Sequence, residues 1–128
     1  MTKQLIVLFL FTLSAAVGAD HPASLTMASV ETMLGKPGVY VFDVNPTEIW
    51  AQGHLPGAIH IDSLSIRRFL PHDKAATLIF YCANRLCLGS NGAAEQALRL
   101  GYRNVYVMPE GIFGWASSGR VMEHGKAQ

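Results

Sequence analysis

The chain has 128 residues, half of them hydrophobic, with two cysteines and a formal net charge of +1. That length suits one domain with a core of ordinary size. The basic residues are scattered rather than gathered on one face, so no nucleic-acid partner is expected.

The N-terminus has the layout of a secretory signal peptide. Lys3 supplies a positive start, Leu5 to Leu13 an apolar stretch, and Ser14 to Ala19 a region of small residues suited to cleavage. The expected division is therefore a signal peptide over residues 1–19 and one domain over residues 20–128. The apolar stretch is short for a spanning helix. A membrane contact is expected only through this leader, if it stays uncleaved. Cleavage would send the chain to the periplasm of a bacterium, or to secretion, where disulfides are favoured.

Ser24 to Leu34 has helical apolar spacing and stops at Gly35. Val39 to Asp43 is a nearly continuous apolar strand. Asn45-Pro46-Thr47-Glu48 reads as a helix start, with Asn45 as cap, and that helix ends at Gly53. His54 to Gly57 is a loop, and Ala58 to Ile61 a short strand. Ser63 or Ser65 caps a helical turn through Ile66 to Leu70, closed by Pro71. Thr77 to Tyr81 is a strand, and Ser90 to Leu100 is the clearest helix, with Gly101 after it. Asn104 to Val107 is a further strand and Gly111 to Ser118 a last short helix. The polar tail from Glu123 is expected to fray.

Strands alternate with helices, and the strands are apolar on both faces. This predicts an α/β fold with a parallel sheet covered by helices on both sides. Ligands of such sheets bind at the carboxyl ends of the strands. Cys82 stands at one such end, Asp43 at another, and Met108 to Glu110 at a third. Cys82 is followed by a short loop and a helix start, a setting that lowers a thiol pKa and holds anions. It is the candidate nucleophile; the alternatives are a buried structural cysteine or half of a disulfide.

Cys87 admits three readings. It could resolve an oxidised or persulfidated Cys82 reversibly, lock Cys82 in a permanent disulfide, or be a small apolar loop residue. Arg85 could attract an anion or be a solvated charge, and Asn84 could shape the turn. Asp43 reads as a structural acceptor at its strand end, His54 as a residue that packs and bonds within its turn, and His60 as structural. Trp50 and Trp115 read as core aromatics. His21, His72 and His124 are too dispersed for a metal site, and none is expected.

Three landmarks together resemble the rhodanese-like domain family. The first is Asp43 with Gly53-His54-Leu55-Pro56-Gly57-Ala58-Ile59-His60-Ile61. The second is Tyr81-Cys82, then a loop and Ser90. The third is Gly101-Tyr102-Arg103-Asn104-Val105 with Gly111-Ile112-Phe113-Gly114-Trp115 and Gly119. The resemblance runs from Ser24 to Val121 and implies a rhodanese-like fold, a mainly parallel five-stranded sheet flanked by helices on both faces. It further implies a sulfurtransferase in which Cys82 carries sulfane sulfur as a persulfide. The donor would be a small sulfur-containing anion such as thiosulfate, or a thiol persulfide. The acceptor would be cyanide or a thiol, including a protein thiol. The backbone of Ala83, Asn84, Arg85, Leu86, Cys87, Leu88 and Gly89 would bind substrate, with Asp43 and His54 as support. No cofactor is implied.

The chain departs from that pattern in its loop. Sulfurtransferases of the family place an arginine just before the helix serine. Here Ser90 follows Cys82 by eight residues, making the loop longer, and Gly89 precedes the serine. Phosphatase relatives with long loops also keep an arginine there, for bidentate phosphate binding. Its absence argues against phosphatase activity. A thiol–disulfide redox protein and a non-catalytic binding module remain as alternatives to the sulfurtransferase.

Overall fold

The computed structural model describes residues 21–62 and 64–125; the predicted leader and Ser63 lie outside them. The elements run β1 (Ala23–Ser24), α1 (Met27–Met33), β2 (Val39–Asp43), α2 (Thr47–Gln52), β3 (Ile59–His60), a 3-10 turn (Ile66–Phe69), β4 (Thr77–Tyr81), α3 (Gly89–Arg99), β5 (Asn104–Met108) and α4 (Gly111–Ser117). The strands form one sheet in the order β1-β5-β4-β2-β3, and every pairing is parallel. This is the parallel α/β sheet that the strand pattern predicts, with the five strands that the family resemblance implies.

Alternation along each strand sends side chains to two separate cores. Phe42, Leu78, Phe80, Val105 and Val107 pack on one face against Ala93, Ala94 and Ala97 of α3 and Ile66 of the 3-10 turn. The three alanines let α3 lie close to the sheet. Val41, Ile79, Tyr81 and Met108 pack on the other face against Val30 of α1 and Ile112 and Trp115 of α4. Burial on both faces is why β4 reads as an unbroken apolar run.

Four local expectations change. β1 is a two-residue strand beside Tyr106 and Val107 of β5, within a stretch assigned to helix by its apolar spacing. The helix begins later, at Met27, where Thr26 Oγ1 accepts from the Ser29 N–H at 3.1 Å. In α2, Pro46 occupies the cap position and no side chain caps the helix, so the Asn45 cap is not formed. Asn45 instead donates its backbone N–H to Asp43 Oδ1 at 2.7 Å, which draws it into the end of β2. The tail is also held: Glu123 and His54 exchange two backbone hydrogen bonds of 2.9 Å, and His124 Nδ1 bonds the Gln52 carbonyl at 2.7 Å.

The β2–β4–β5 register sets the position of the loop. Asp43, Tyr81 and Met108 are neighbours across the three strands, so their chain exits lie level. The chain leaving β4 then meets the start of α4. Ile112 N–H bonds the Cys82 carbonyl at 2.9 Å, and Phe113 N–H bonds the Ala83 carbonyl at 3.0 Å. Gly111 makes this approach possible, with φ of 63°. A Cβ built there would lie 2.5 Å from the Ala83 carbonyl and the Cys82 oxygen.

Gly111→Ala is therefore expected to cost about 2–4 kcal/mol, from left-handed strain plus backbone overlap. Gly119 also has positive φ, at 76°, but open space around its Cβ position. Gly119→Ala is expected to cost only about 1 kcal/mol. Urea unfolding of the two variants checks this, and equal losses would remove the overlap from the explanation.

Candidate functional site

Cys82 leaves the central strand β4 and is 5% exposed. Its sulfur is joined to that of half-buried Cys87 in a disulfide, across a Cα–Cα distance of 6.1 Å. Both sulfurs lie against the start of α3. A Cβ built on Gly89 would sit 3.8 Å from Cys82 Sγ and 3.7 Å from Cys87 Sγ. No side chain caps α3.

The loop curls around Asn84. Leu86 N–H bonds Asn84 Oδ1 at 2.9 Å, and Cys87 N–H bonds the Asn84 carbonyl at 3.1 Å. This is the turn chemistry of an asparagine side chain standing in for backbone. It returns Cys87 towards Cys82. It also takes up the N–H groups of Leu86 and Cys87, two of the amides expected to cradle an anion, while the loop is in this conformation.

Arg85 is not a free anion ligand here. Its Nη2 meets Glu110 Oε1 at 2.7 Å, joining the crown of the loop to the start of α4. The guanidinium is 68% exposed, so the pair adds little stability and still opposes another anion at that group. The sequence placed Glu110 at a strand end but carried no signal for this pairing, which joins residues 25 apart. Leu86 and Leu88 flank Cys87 with 88% and 73% exposure, and Phe113 of α4 is also exposed. Ala83 is tied to α4 as described above.

Asp43 is fully buried. Burial pushes its carboxyl above the ordinary value, partly offset by the nearby Tyr81 hydroxyl and by the Asn45 N–H that Oδ1 accepts, while Oδ2 has no hydrogen-bond partner among the described residues. The Tyr81 hydroxyl is raised in turn, by burial and then by the neighbouring Asp43 charge. It also accepts the Leu55 N–H at 3.1 Å, which ties the end of β4 to the segment after α2. His54 stacks on Trp50 with ring centres 3.5 Å apart and its Nδ1 bonds the Trp50 carbonyl. His60 Nε2 bonds the Asn45 carbonyl at 2.6 Å. These contacts place both histidines in the wall beside α2. A groove of about 490 Å³ lined by Ile66, Arg67, Arg68, Arg99 and Leu100 includes none of the loop residues.

The raised Asp43 pKa means that the folded chain binds this proton more tightly than the unfolded chain does. The resulting stabilisation is whole below the ordinary value of 3.8 and is lost as pH rises through the raised value. Asp43→Asn keeps an acceptor for the Asn45 N–H and cannot ionise. Its stability relative to the wild type is therefore expected to improve from acid to neutral pH. Urea midpoints across that range check the sign; parallel curves would contradict it.

The rhodanese-like domain model matches residues 26–118. A thiosulfate sulfurtransferase GlpE of Pseudomonas entomophila is 30% identical over 84 residues, covering 63% of this chain and 73% of its own. The GlpE of Pseudoalteromonas translucida is 24% identical, covering 73% of this chain and 89% of its own. A crystal structure from Bacillus halodurans superposes with a TM-score of 0.68 at 26% identity, covering 80% of this chain and 77% of that one. The family match spans strands β2 to β5, the cysteine loop and α4 alike, and the chain belongs to the rhodanese-like domain family.

Proposed function

We propose that the reduced protein is a sulfurtransferase that carries sulfane sulfur as a persulfide on Cys82. The observation that supports this best is the position of Cys82, at the end of the central strand and against the uncapped start of α3. The Cys82 thiolate attacks the sulfane sulfur of thiosulfate or of a thiol persulfide, and sulfite or a thiolate leaves. Cyanide or a thiol, including one on a protein, then takes the sulfur from Cys82. Thiosulfate sulfurtransferases among the relatives support this choice of donor. The loop from Ala83 to Gly89 lines the site, with Asp43 and His54 as its structural support. Residues 1–19 direct export to the periplasm or outside the cell, residues 20–128 form the one domain, and no nucleic acid takes part.

The disulfide supports a second reading, a thiol–disulfide redox protein using Cys82 and Cys87. The two readings share one requirement. Sulfur can load only after the disulfide is reduced, because a bonded Cys82 has no thiolate to offer.

Intact mass before and after thiosulfate tests the sulfurtransferase. The oxidised protein is expected to take up no sulfur. After mild reduction and removal of the reductant, Cys87→Ser, which cannot re-form the disulfide, should gain sulfur that cyanide removes, and Cys82→Ser should gain none. Sulfur uptake that persists in Cys82→Ser would sink the assignment. Turnover of disulfides by wild type without any sulfur uptake by reduced Cys87→Ser would favour the redox reading.

A further inference from the structure

The loop does more than expose one thiol. Its curl brings a second sulfur onto the first, and both ends of that curl are held. Cys82 and Ala83 are tied through their carbonyls to Ile112 and Phe113, and Arg85 is tied to Glu110. Asn84 closes the turn with two hydrogen bonds, and α3 begins against both sulfurs. The juxtaposition of the sulfurs is therefore built by the loop's own hydrogen bonds and by α4.

A purely structural cross-link accounts poorly for this arrangement. Stabilisation by a disulfide grows with the length of chain that it closes. This one closes a separation of only five residues, in a loop already clamped at β4, α3 and α4. Cys87 is half-buried between two exposed leucines, so the bond lies within reach of an external reductant.

We propose that Cys87 is a resolving cysteine that discharges the Cys82 persulfide as hydrogen sulfide. The step rests on the persulfide chemistry proposed above. The Cys87 thiolate attacks the inner sulfur of the persulfide, Cys82 Sγ. The Sγ82–Sγ87 bond forms, and the bond from Cys82 Sγ to the outer sulfur breaks. Hydrosulfide leaves with the electron pair and takes up a proton. The sulfane sulfur is reduced by two electrons, and the two cysteines are oxidised to the disulfide seen in the structure. An external dithiol then reduces that disulfide by exchange and becomes a disulfide itself. The protein thereby gains an outlet for sulfane sulfur that needs no sulfur acceptor, only a dithiol.

The test follows a single turnover. Reduced wild type, freed of reductant, receives thiosulfate or, in parallel, glutathione persulfide. Sulfide is measured against a Cys82→Ser control and the protein is weighed intact. Wild type is expected to release about one sulfide per chain and finish as the disulfide. Cys87→Ser is expected to hold the added sulfur and release sulfide at least ~10-fold more slowly, until dithiothreitol is added. The proposal is overturned if wild type keeps the persulfide while Cys87 remains open to alkylation. It is equally overturned if Cys87→Ser releases sulfide as fast as wild type. The wild-type arm decides by itself should the variant fold poorly, and Cys87→Ala repeats the variant arm. Sulfur uptake without sulfide release sinks this step alone, whereas no uptake by any form sinks the persulfide carrier and this step together.

Discussion

The contact between the start of α4 and the chain leaving β4 is the constraint on which the site depends. Two amides of α4 bond the carbonyls of Cys82 and Ala83, and this needs a residue without Cβ at position 111. The parallel register of β2, β4 and β5 delivers both partners to the same level. Core packing on the two faces of the sheet then holds that register. A one-residue slip would exchange the side chains bound for α3 with those bound for α4. The site thus inherits its precision from the sheet, although none of its reactive atoms belongs to a strand.

Beneath the loop the fold buries a carboxyl. Asp43 lies beside Tyr81 at the exits of β2 and β4, bonds the Asn45 amide and has its proton affinity raised by burial. The Asn45 N–H limits the cost of desolvating it at Oδ1, and Oδ2 is left without a hydrogen-bond partner among the described residues. The Tyr81 hydroxyl extends the same polar group to Leu55, and His60 reaches the Asn45 carbonyl. A small polar cluster inside an apolar core thereby joins β2, β3, β4 and the segment after α2. Its chemical work is to hold strand ends in place.

The loop itself is a competition for backbone amides. A loop open around an anion turns its N–H groups inward. The loop seen here gives the N–H groups of Leu86 and Cys87 to Asn84, and the sulfurs bond to one another. Its cation is likewise engaged by Glu110. In the oxidised protein, sulfur and guanidinium both have partners inside the molecule. Reduction frees the sulfurs and leaves the helix end of α3 as the positive feature beside them.

The sequence alone determined the parallel α/β sheet, its two-sided burial, and the place of Cys82 at a strand end before a helix. Each of these follows from local pattern: unbroken apolar runs in β2, β4 and β5, alanine spacing in α3, and glycines at the turns. The tertiary structure decided what depends on partners distant in the chain. The two residues of β1 are too few to show a period and exist as a strand only beside β5. Asn45 has the residue type of a helix cap, yet the Asp43 carboxylate claims its amide. Glu123 looks like free tail until His54 pairs with it. Cys87 had three readings in the sequence, because nothing local says which way a loop curls. Asn84 and the grip of α4 settle that direction, and they bring the second sulfur to the first.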